Sequence, residues 1–391
     1  MTHKSPYTQS AINWLDQLVA FDTTSRYSNL ELIHHVQDYL KSLNIESRLT
    51  FNSDQTKANL WATIGPDSPG GVVLSGHTDV VPVDGQDWSS DPFKMEERGG
   101  RLFGRGTADM KGFVACAIAF AETLSKRDVK TPIHFAFSHD EEVGCVGVKS
   151  LITDMSENLP TPAAVIVGEP TSMRIVGGNK GGRGWRTDIR GVGGHSSLPE
   201  KGANAILAAN KIINELVKIA DELKQSADPN NGFDPYYSTL DLGIISGGTA
   251  RNIIPEHCTL SFGFRVTPFD DPDVIEKRLL DFIAREVEPD LKTISDVAGV
   301  TVNQLMDVPA LLPDETSPAE TLLRHLTGLN ESARVSYGTE AGHFQKAGVP
   351  GVIFGPGSIE QAHLPDEYID VSQMDECCQF LEKLSDWAEN T

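Results

Sequence analysis

Hydrophobic and polar positions repeat along this chain with two periods, which separate predicted helices from predicted strands. Apolar residues recur at helical spacing over 6–20 and over 28–43, where Leu32, Ile33 and Val36 fall on one face. Short apolar runs between turn residues predict strands, and in the first half they occur at 47–51, 59–64, 72–75, 101–103, 133–138 and 163–167.

Residues 112–124 are rich in Ala and Phe and free of helix breakers, which predicts a buried helix between two strands. Helices that alternate with short apolar strands indicate an α/β fold with a mixed, largely parallel sheet. Further elements of the same kind are predicted near the end of the chain, namely a helix over 318–327, a strand over 351–354 and a helix over 371–389.

The middle of the chain has a different pattern, which begins after a Gly-rich segment at 177–184 that we interpret as a hinge. The predicted order there is β-α-β-β-α-β, with strands at 185–190, 239–245, 259–265 and 300–304 and helices at 202–225 and 271–287. This is the order of a ferredoxin-like unit. We therefore expect one domain formed by 1–182 and 309–391, with an inserted α+β domain at 183–308.

Composition argues against a nucleic-acid-binding, a membrane-spanning or a disulfide-rich protein. The 391 residues are 39% hydrophobic and carry a net charge of −22, which argues against nucleic-acid binding because phosphate contacts need a basic face. We find neither a signal-peptide pattern at the amino terminus nor an apolar run of about 18 residues, so we expect no membrane segment. The five cysteines have no disulfide or zinc-site spacing, which predicts reduced thiols in a cytoplasmic protein.

Side chains that bind metals occur in five short segments, most of them directly after predicted strands. These are His77 with Asp79, Asp109, the run Asp140, Glu141 and Glu142, then Glu169, and His363. Ligands bind at the carboxyl ends of strands in open α/β sheets. Two imidazoles and several carboxylates favour a pair of zinc ions over calcium or magnesium. The pattern predicts a hydrolase that uses metal-activated water.

Each segment alone also fits a plainer interpretation. His77 and Asp79 could form a simple hydrogen-bonded pair, and Asp109 could cap the helix predicted from 112. The acidic run could be a solvated loop, although one of its glutamates could also be a metal ligand and its neighbour a general base. Glu169 could be a surface residue, and His139 and His343 compete with His363 as ligands.

The inserted domain offers two more candidates. His195 lies among Gly and Ser residues and is therefore expected to be exposed and able to polarise a substrate, although a lone histidine is more often structural. Arg265 ends a predicted strand, where a guanidinium could bind a carboxylate through two hydrogen bonds. A surface arginine is the alternative.

Taken together and in order, the motifs resemble those of the dinuclear-zinc aminoacylase/carboxypeptidase family. They are His77-Thr-Asp79, Gly106-Thr-Ala-Asp-Met-Lys-Gly112, Asp140-Glu-Glu-Val-Gly144, Gly168-Glu-Pro170, Gly194-His-Ser196 and the late His363. The resemblance covers the whole chain. The segments at 79–85, 88–93, 167–171, 338–342 and 354–368 are most similar to those of family members that deacetylate amino acids.

The resemblance implies a role for each candidate. Asp109 would bridge two Zn²⁺ ions, His77 and Glu169 would complete one site, and Glu142 and His363 the other, with Co²⁺ as an alternative ion. Asp79 would support His77, and Glu141 would be the general base. The substrate would be contacted by His195 from the partner subunit of a homodimer and by Asn252 and Arg265. Separately, Glu340 could meet a cationic side chain of the substrate, although local sequence does not distinguish it from a surface glutamate.

The implied reaction is hydrolysis of a small N-acyl amino acid. A dipeptidase or a metal-binding dimer without catalysis are the alternatives. The segment Gly178-Asn179-Lys180-Gly181 departs from the family, in which we expect His at the position of Asn179.

Overall fold

A computed structural model describes residues 5–391, and their contacts group into two compact units. Unit 1 contains the described residues up to Gly178 together with Pro313–Ala333 and Thr339–Thr391. Unit 2 contains Asn179–Leu312 and Arg334–Gly338. The insertion predicted at 183–308 lies inside unit 2.

The elements of the first part of the chain are α1 (Thr8–Val19), α2 (Leu30–Ser42), β1 (Ser47–Phe51), β2 (Ala58–Ile64), β3 (Val72–His77), β4 (Glu96–Arg98), β5 (Arg101–Phe103), α3 (Lys111–Ser125), β6 (Ile133–Ser138), α4 (Val146–Asn158), β7 (Ala164–Val167) and β8 (Val176–Asn179). The following elements are β9 (Gly181–Arg190), β10 (Gly194–His195), α5 (Ala205–Ser226), β11 (Thr239–Gly247), β12 (Ile253–Ile254), β13 (His257–Val266), α6 (Pro272–Phe282), α7 (Glu288–Lys292) and β14 (Gly299–Val308). The chain ends with α8 (Pro318–Thr327), β15 (Ala333–Val335), α9 (Ala341–Lys346), β16 (Gly351–Ile353), β17 (Tyr368–Asp370) and α10 (Val371–Asn390).

An eight-stranded mixed sheet organises unit 1, in the order β1-β2-β6-β3-β7-β16-β8-β15. Its centre is parallel, because β3 pairs in parallel with β6 and β7, and β7 with β16. Strand β2 pairs antiparallel with both β1 and β6, and β8 pairs antiparallel with β16. From β3 the chain goes to β6 on one side and later to β7 on the other, so β3 is the switch point where α/β sheets bind ligands.

Alternate strand residues of this sheet face different layers. Leu74 and Phe135 belong to the large core that includes buried residues of α1, α3 and α10, whereas Val73 and Ala136 are buried outside that core. Helix α4 contacts β2 and β6, and α9 contacts β7 and β16, without joining the same core. Helices on both faces of a largely parallel sheet confirm the predicted α/β class.

Strands β4, β5 and β17 form a small antiparallel sheet in the order β17-β5-β4. Strand β5 is the element that precedes α3 in the sequence. Tyr368 pairs with Phe103 and Ile369 with Leu102. This pairing brings the residues just before β17 beside the loop that follows β5, and that loop carries Asp109.

Unit 2 is built on a four-stranded antiparallel sheet in the order β11-β13-β9-β14. In chain order these strands are second, third, first and fourth, with α5 after the first and α6 after the third. This is the predicted ferredoxin-like arrangement. Apolar residues of the sheet and of both helices form its core, among them Trp185, Ile212, Leu260 and Leu279.

Strands β8 and β9 take up most of the Gly-rich segment, and the boundary between units 1 and 2 falls within it, after Gly178. A Cβ atom on Gly181 would come within 2.5 Å of the Val308 carbonyl oxygen, so this glycine permits close strand packing. Asn179, at the unusual position, is buried, and its Nδ2 donates to the Lys180 carbonyl at 2.8 Å.

The structure also bears on membrane-spanning helices and on the cysteines. Within residues 5–391 no helix combines the length and apolarity needed to cross a bilayer. All five cysteines lie in this described range, and each is a buried free thiol, as predicted.

Candidate metal centre

The parallel strands deliver most of the predicted ligands to one edge of the sheet. His77 is the last residue of β3, Glu141 and Glu142 follow β6, Glu169 follows β7, and His363 lies in the loop after β16. Because these four strands run in the same direction, their carboxyl ends meet. Asp109 arrives separately, from the loop between β5 and α3.

Asp109 lies at the centre of the cluster, and its two carboxylate oxygens face different histidines. Its Oδ1 lies 3.1 Å from His77 Nε2, and its Oδ2 lies 3.3 Å from His363 Nε2. Glu169 Oε1 lies 3.8 Å from His77 Nε2, and Glu142 Oε2 lies 3.0 Å from His363 Nε2. Each oxygen of Asp109 therefore has its own pair of one histidine and one glutamate.

The donor atoms are close enough to share ions. Those of His77, Glu141 and Glu169 all lie within 4.8 Å of one another, and so do those of His77, Asp109 and Glu142. His77, Asp109 and Glu169 are buried, whereas the His363 side chain is 54% exposed. Geometry alone does not set Glu141 apart from the ligands.

Asp79 holds this cluster through both its backbone and its side chain. Its carbonyl oxygen lies 2.9 Å from His77 Nδ1, while its carboxylate is 3.7 Å away from that nitrogen. The carboxylate instead accepts from the amides of Glu141 and Glu142 at 3.1 and 3.3 Å, and from Ser25 Oγ at 2.7 Å. A proton on Nδ1 leaves Nε2 as the donor atom for a metal, which is how ligand histidines are usually oriented.

Crowded carboxylates change the acidity of the site. Burial, together with neighbouring negative charges, raises the pKa of Glu141 to about 8 and that of Glu142 to about 7. Hydrogen bonds to Asp109 and Glu142 raise the pKa of His363 to about 10. Burial opposes ionisation of Asp109, but hydrogen bonds from His363 and His77 outweigh it and hold its pKa below the ordinary value. The cluster therefore favours positive charge among its carboxylates.

These residues fit a pair of divalent cations. Imidazole nitrogens and carboxylate oxygens are ordinary zinc ligands. Glu142 Oε1 is buried and has no hydrogen-bond partner among the described residues, as expected of an oxygen directed at an ion. One carboxylate between two histidine–glutamate pairs also matches a donor set for two ions rather than one.

Several plainer interpretations do not hold. Helix α3 begins at Lys111 after Met110, without a side-chain cap, so Asp109 does not cap it. Glu169 is 4% exposed and is not a surface residue. Of the competing histidines, His139 bonds to Asp140 at 3.0 Å and His343 lies in α9. His363 Nε2 lies 3.3 Å from Asp109 and 3.0 Å from Glu142, although His363, like His139 and His343, is outside the two sets of donor atoms that lie within 4.8 Å of one another.

The predicted substrate contacts belong to both units, and Glu340 is the one that lies in unit 1. Glu340 is 1% exposed, and its carboxylate accepts from Ser138 Oγ at 2.6 Å and from Ser75 Oγ at 3.4 Å. It is therefore not the surface residue that local sequence allowed. His195, Asn252 and Arg265 belong to unit 2, where all three are exposed. Their contacts with substrate stay predictions.

Sequence reasoning missed the residues that hold the loops of the cluster. Lys57 forms an ion pair with Asp140, next to Glu141. Glu367 and Arg105 form an ion pair in which both side chains are 1% exposed. For this second pair the signal in the sequence was weak: Glu367 is close to His363, and Arg105 is close to Asp109. Charged residues at such positions are usually solvated.

Comparison with known proteins places this site in a family. The signature of Peptidase family M20/M25/M40 matches residues 73–386, which include every ligand of the cluster. The chain belongs to this family. Its fold is that of a tripeptidase from Staphylococcus aureus subsp. aureus Mu50, with a TM-score of 0.75 at 21% identity over 98% of this chain and 99% of the other.

A dinuclear metal-binding M20 peptidase from Bacillus subtilis shares the fold, with a TM-score of 0.66 at 17% identity over 98% of this chain and 99% of the other. Within the family, the chain is similar along nearly its whole length to acetylornithine deacetylases. That from Myxococcus xanthus is 34% identical over 375 residues, which is 93% of each chain. That from Pasteurella multocida (strain Pm70) is 34% identical over 361 residues, which is 91% of each. The resemblance stated from the motifs is thus confirmed.

Proposed function

We propose that this protein is a metal-dependent amide hydrolase that removes the acetyl group from N2-acetyl-L-ornithine, giving L-ornithine and acetate for arginine biosynthesis. The observation that carries the hydrolase is the position of Asp109 between two histidine–glutamate pairs. The substrate is supported by the names of relatives that match nine-tenths of the chain.

Two divalent ions would be held by this cluster, one by His77, Asp109 and Glu169 and the other by Asp109, Glu142 and His363. Zinc suits the donor set best, and cobalt is the alternative. When bound, such a pair polarises a carbonyl group and makes a water molecule more acidic. Asp79 fixes the His77 ring through its carbonyl and the Glu141–Glu142 backbone through its carboxylate.

Glu141 is the proposed general base. It takes a proton from the attacking water as the oxygen of that water bonds to the acetyl carbon. It then gives the proton to the nitrogen of ornithine as the C–N bond breaks, so acetic acid and a neutral amine form, and the acid passes its proton to the amine to give acetate and an ammonium group. Burial raises its pKa to about 8 in the metal-free chain, which strengthens its carboxylate as a base.

His195 is suited to stabilise the developing oxyanion. Its Nδ1 accepts from the Ser197 amide at 3.2 Å and lies 2.7 Å from Ser197 Oγ, so the ring proton resides on Nε2. That N–H is exposed and can donate to a substrate oxygen. We assign it to the site of the partner subunit, and Asn252 and Arg265 to contacts with substrate.

A homodimer is supported by the free edge of the unit 2 sheet. Strand β11 is the edge strand, and residues 241–247 are all exposed. Leu242, Ile244 and Ile245 are 39%, 63% and 56% exposed. A long apolar edge strand invites pairing with another strand, and a second copy of β11 would cover it. We place the protein in the cytoplasm, in keeping with its free thiols.

The substrate is tested with purified protein loaded with zinc. Steady-state rates are measured on N2-acetylornithine, N2-acetylcitrulline, N-succinyl-diaminopimelate and a dipeptide. We expect the highest kcat/KM on N2-acetylornithine. A higher value on another compound would reassign the substrate, and bound zinc without hydrolysis of any of them would indicate a metal-binding module.

Glu141→Gln separates the base from the ligands. This variant keeps a side chain of the same shape, so we expect two zinc ions per chain by elemental analysis. Loss of the base should lower kcat by about 10²–10⁴-fold, the range typical of general-base catalysis. A variant that turns over at the wild-type rate would exclude the role of Glu141, and one that binds a single ion would make Glu141 a ligand.

A further inference from the structure

We propose that Glu367, acting with Arg105, positions the loops that carry Asp109 and His363, and that this preforms the metal site made by Asp109, Glu142 and His363. The inference rests on the proposed function, because it assumes that the cluster binds two ions. Both side chains are buried and bonded to each other and to loop residues, so both are positioning residues.

The Glu367 carboxylate is fully engaged with the Asp109 loop. Its Oε1 accepts from the amides of Ala108 and Asp109 at 2.9 and 3.1 Å, and its Oε2 accepts from the Gly106 amide at 3.0 Å. One side chain therefore holds three amides within four consecutive residues, including the amide of the bridging ligand itself. An ionised carboxylate is the one side chain that accepts at both oxygens without presenting a donor.

Arg105 joins this carboxylate to the His363 loop. Its Nη1 donates to Glu367 Oε2 at 2.7 Å and to the Leu364 carbonyl at 3.3 Å. Its Nη2 donates to Gln86 Oε1 at 2.6 Å, and Gln86 Nε2 donates in turn to the His363 carbonyl at 2.8 Å. Both charged side chains are 1% exposed, so this pair is shielded from water and from salt.

The His363 loop needs such support. Its backbone is left-handed at His363 and at Asp366, with φ of 65° and 54°, a conformation that residues with a Cβ atom adopt only when their surroundings hold it. The His363 side chain is 54% exposed, so packing does little to fix the imidazole. Hydrogen bonds to the loop backbone, including that from Gln86, are what set its direction.

Strand pairing explains how Glu367 comes to this place. Tyr368 is the first residue of β17 and pairs with Phe103 of β5, while the Gly104 amide donates to the Glu367 carbonyl at 3.0 Å. Residues more than 250 positions apart in sequence thus meet in a fixed register. The small sheet sets the distance between the two loops, and the Glu367–Arg105 pair fixes their orientation.

The test is the affinity of each ion in Glu367→Gln. The amide NH₂ would face either backbone amides or Arg105, so two donors would meet and at least one hydrogen bond would be lost. Loss of support around a metal ligand typically weakens binding by about 10–100-fold. We expect this loss for the ion at the His363 site and a smaller loss for the other ion. Zn²⁺ dissociation constants are measured by competition with a chelator, and His363→Ala identifies which constant belongs to that site.

Two variants control the experiment. Glu360→Gln makes the same change on an exposed residue of the same loop and should leave both constants unchanged. Gln86→Ala removes the contact to the His363 carbonyl and one hydrogen bond of Arg105, but it leaves the three amide contacts of Glu367 in place, so the loss should be larger at the His363 site than at the other. If Glu367→Gln fails to fold by circular dichroism, Gln86→Ala decides.

The outcomes separate this inference from the proposed function. Wild-type protein that binds two ions, with Glu367→Gln and Gln86→Ala binding both equally well, would overturn the positioning role alone. Equal weakening of both ions in Gln86→Ala would also overturn it, because that is what general destabilisation gives. Wild-type protein that binds no ions would overturn both.

Discussion

Single residues in this site carry several contacts at once. Asp109 faces two histidines with its two oxygens, while Asp79 orients one histidine with its carbonyl and fixes two glutamates with its carboxylate. These contacts hold several carboxylates close together. Without metal ions, protonation of Glu141, Glu142 or His363 relieves the repulsion among these carboxylates.

This predicts how the stability of the metal-free protein depends on pH. The pKa values of Glu141 and Glu142, about 8 and about 7, lie above the ordinary 4.5, so the folded chain holds these protons more tightly than the unfolded chain. The stability they contribute is complete below about pH 4.5 and is lost as pH rises through 7–8. His363, with a pKa of about 10, acts in the same direction.

The measurement is urea unfolding of chelator-treated protein between pH 5.5 and 8. We expect the free energy of unfolding to fall by at least about 1.4 kcal/mol, the equivalent of one pKa unit. Glu141→Gln removes one titrating group, so its fall should be smaller. A free energy that stays level or rises over this interval would contradict the prediction.

Most of the candidate ligands could be brought together from sequence, because His77, Glu141, Glu142 and Glu169 lie at or just after the ends of apolar strands, and parallel strands end together. The sequence could not predict Glu367 or the burial of Glu340. Both depend on segments that are distant along the chain, namely β17 against β5, and Glu340 against Ser75 and Ser138. Nothing local to a glutamate reports such a neighbour.

At the scale of elements, the packing of α3 against the end of β7 has little tolerance. A Cβ atom on Gly168 would lie 2.0 Å from Cγ of Phe113, which is buried in α3. Glu169 follows directly. The glycine therefore lets the helix approach the strand end that presents a ligand.

Gly168→Ala is expected to destabilise the metal-free protein by about 1–3 kcal/mol, the usual effect of overpacking a core. Denaturant unfolding measures it. Gly184→Ala is the control, because its Cβ atom would have no neighbour nearer than 3.8 Å. Phe113→Leu in the Gly168→Ala background should recover part of the loss, since the two changes share one contact. Equal effects of the two alanine substitutions would contradict this account.

Element prediction failed where local sequence is ambiguous. Helix α4 was not predicted, and it starts Val-Gly-Val after Cys145, which has a left-handed backbone, so the usual start signals are absent. Strand β8 and the start of β9 were not predicted, because their Gly-rich sequence shows no alternation of apolar and polar residues. Strands β15 and β17 have three residues each, which is too short to show an alternation of apolar and polar residues. Such short strands are recognised only from the strands with which they pair.

At the scale of the molecule, the exposed edge of β11 predicts how copies associate. Ile244→Asp places a charge in that edge and should shift the protein from dimer to monomer in light scattering coupled to size-exclusion chromatography. Val274→Asp is the matched control, since Val274 in α6 is 62% exposed and Ile244 is 63%. A monomeric wild type, or a dimer unaffected by Ile244→Asp, would exclude β11 as the interface.

The position of β16 in the sheet bears on how the protein is made. Residues 351–353 fill the place between β7 and β8, although both of those strands are complete by residue 179. A ribosome therefore synthesises almost the entire chain before the gap can close and before His363 emerges. The proposed site that includes His363 cannot be complete before then, and until the gap closes the nascent chain exposes an unpaired strand edge on either side of it.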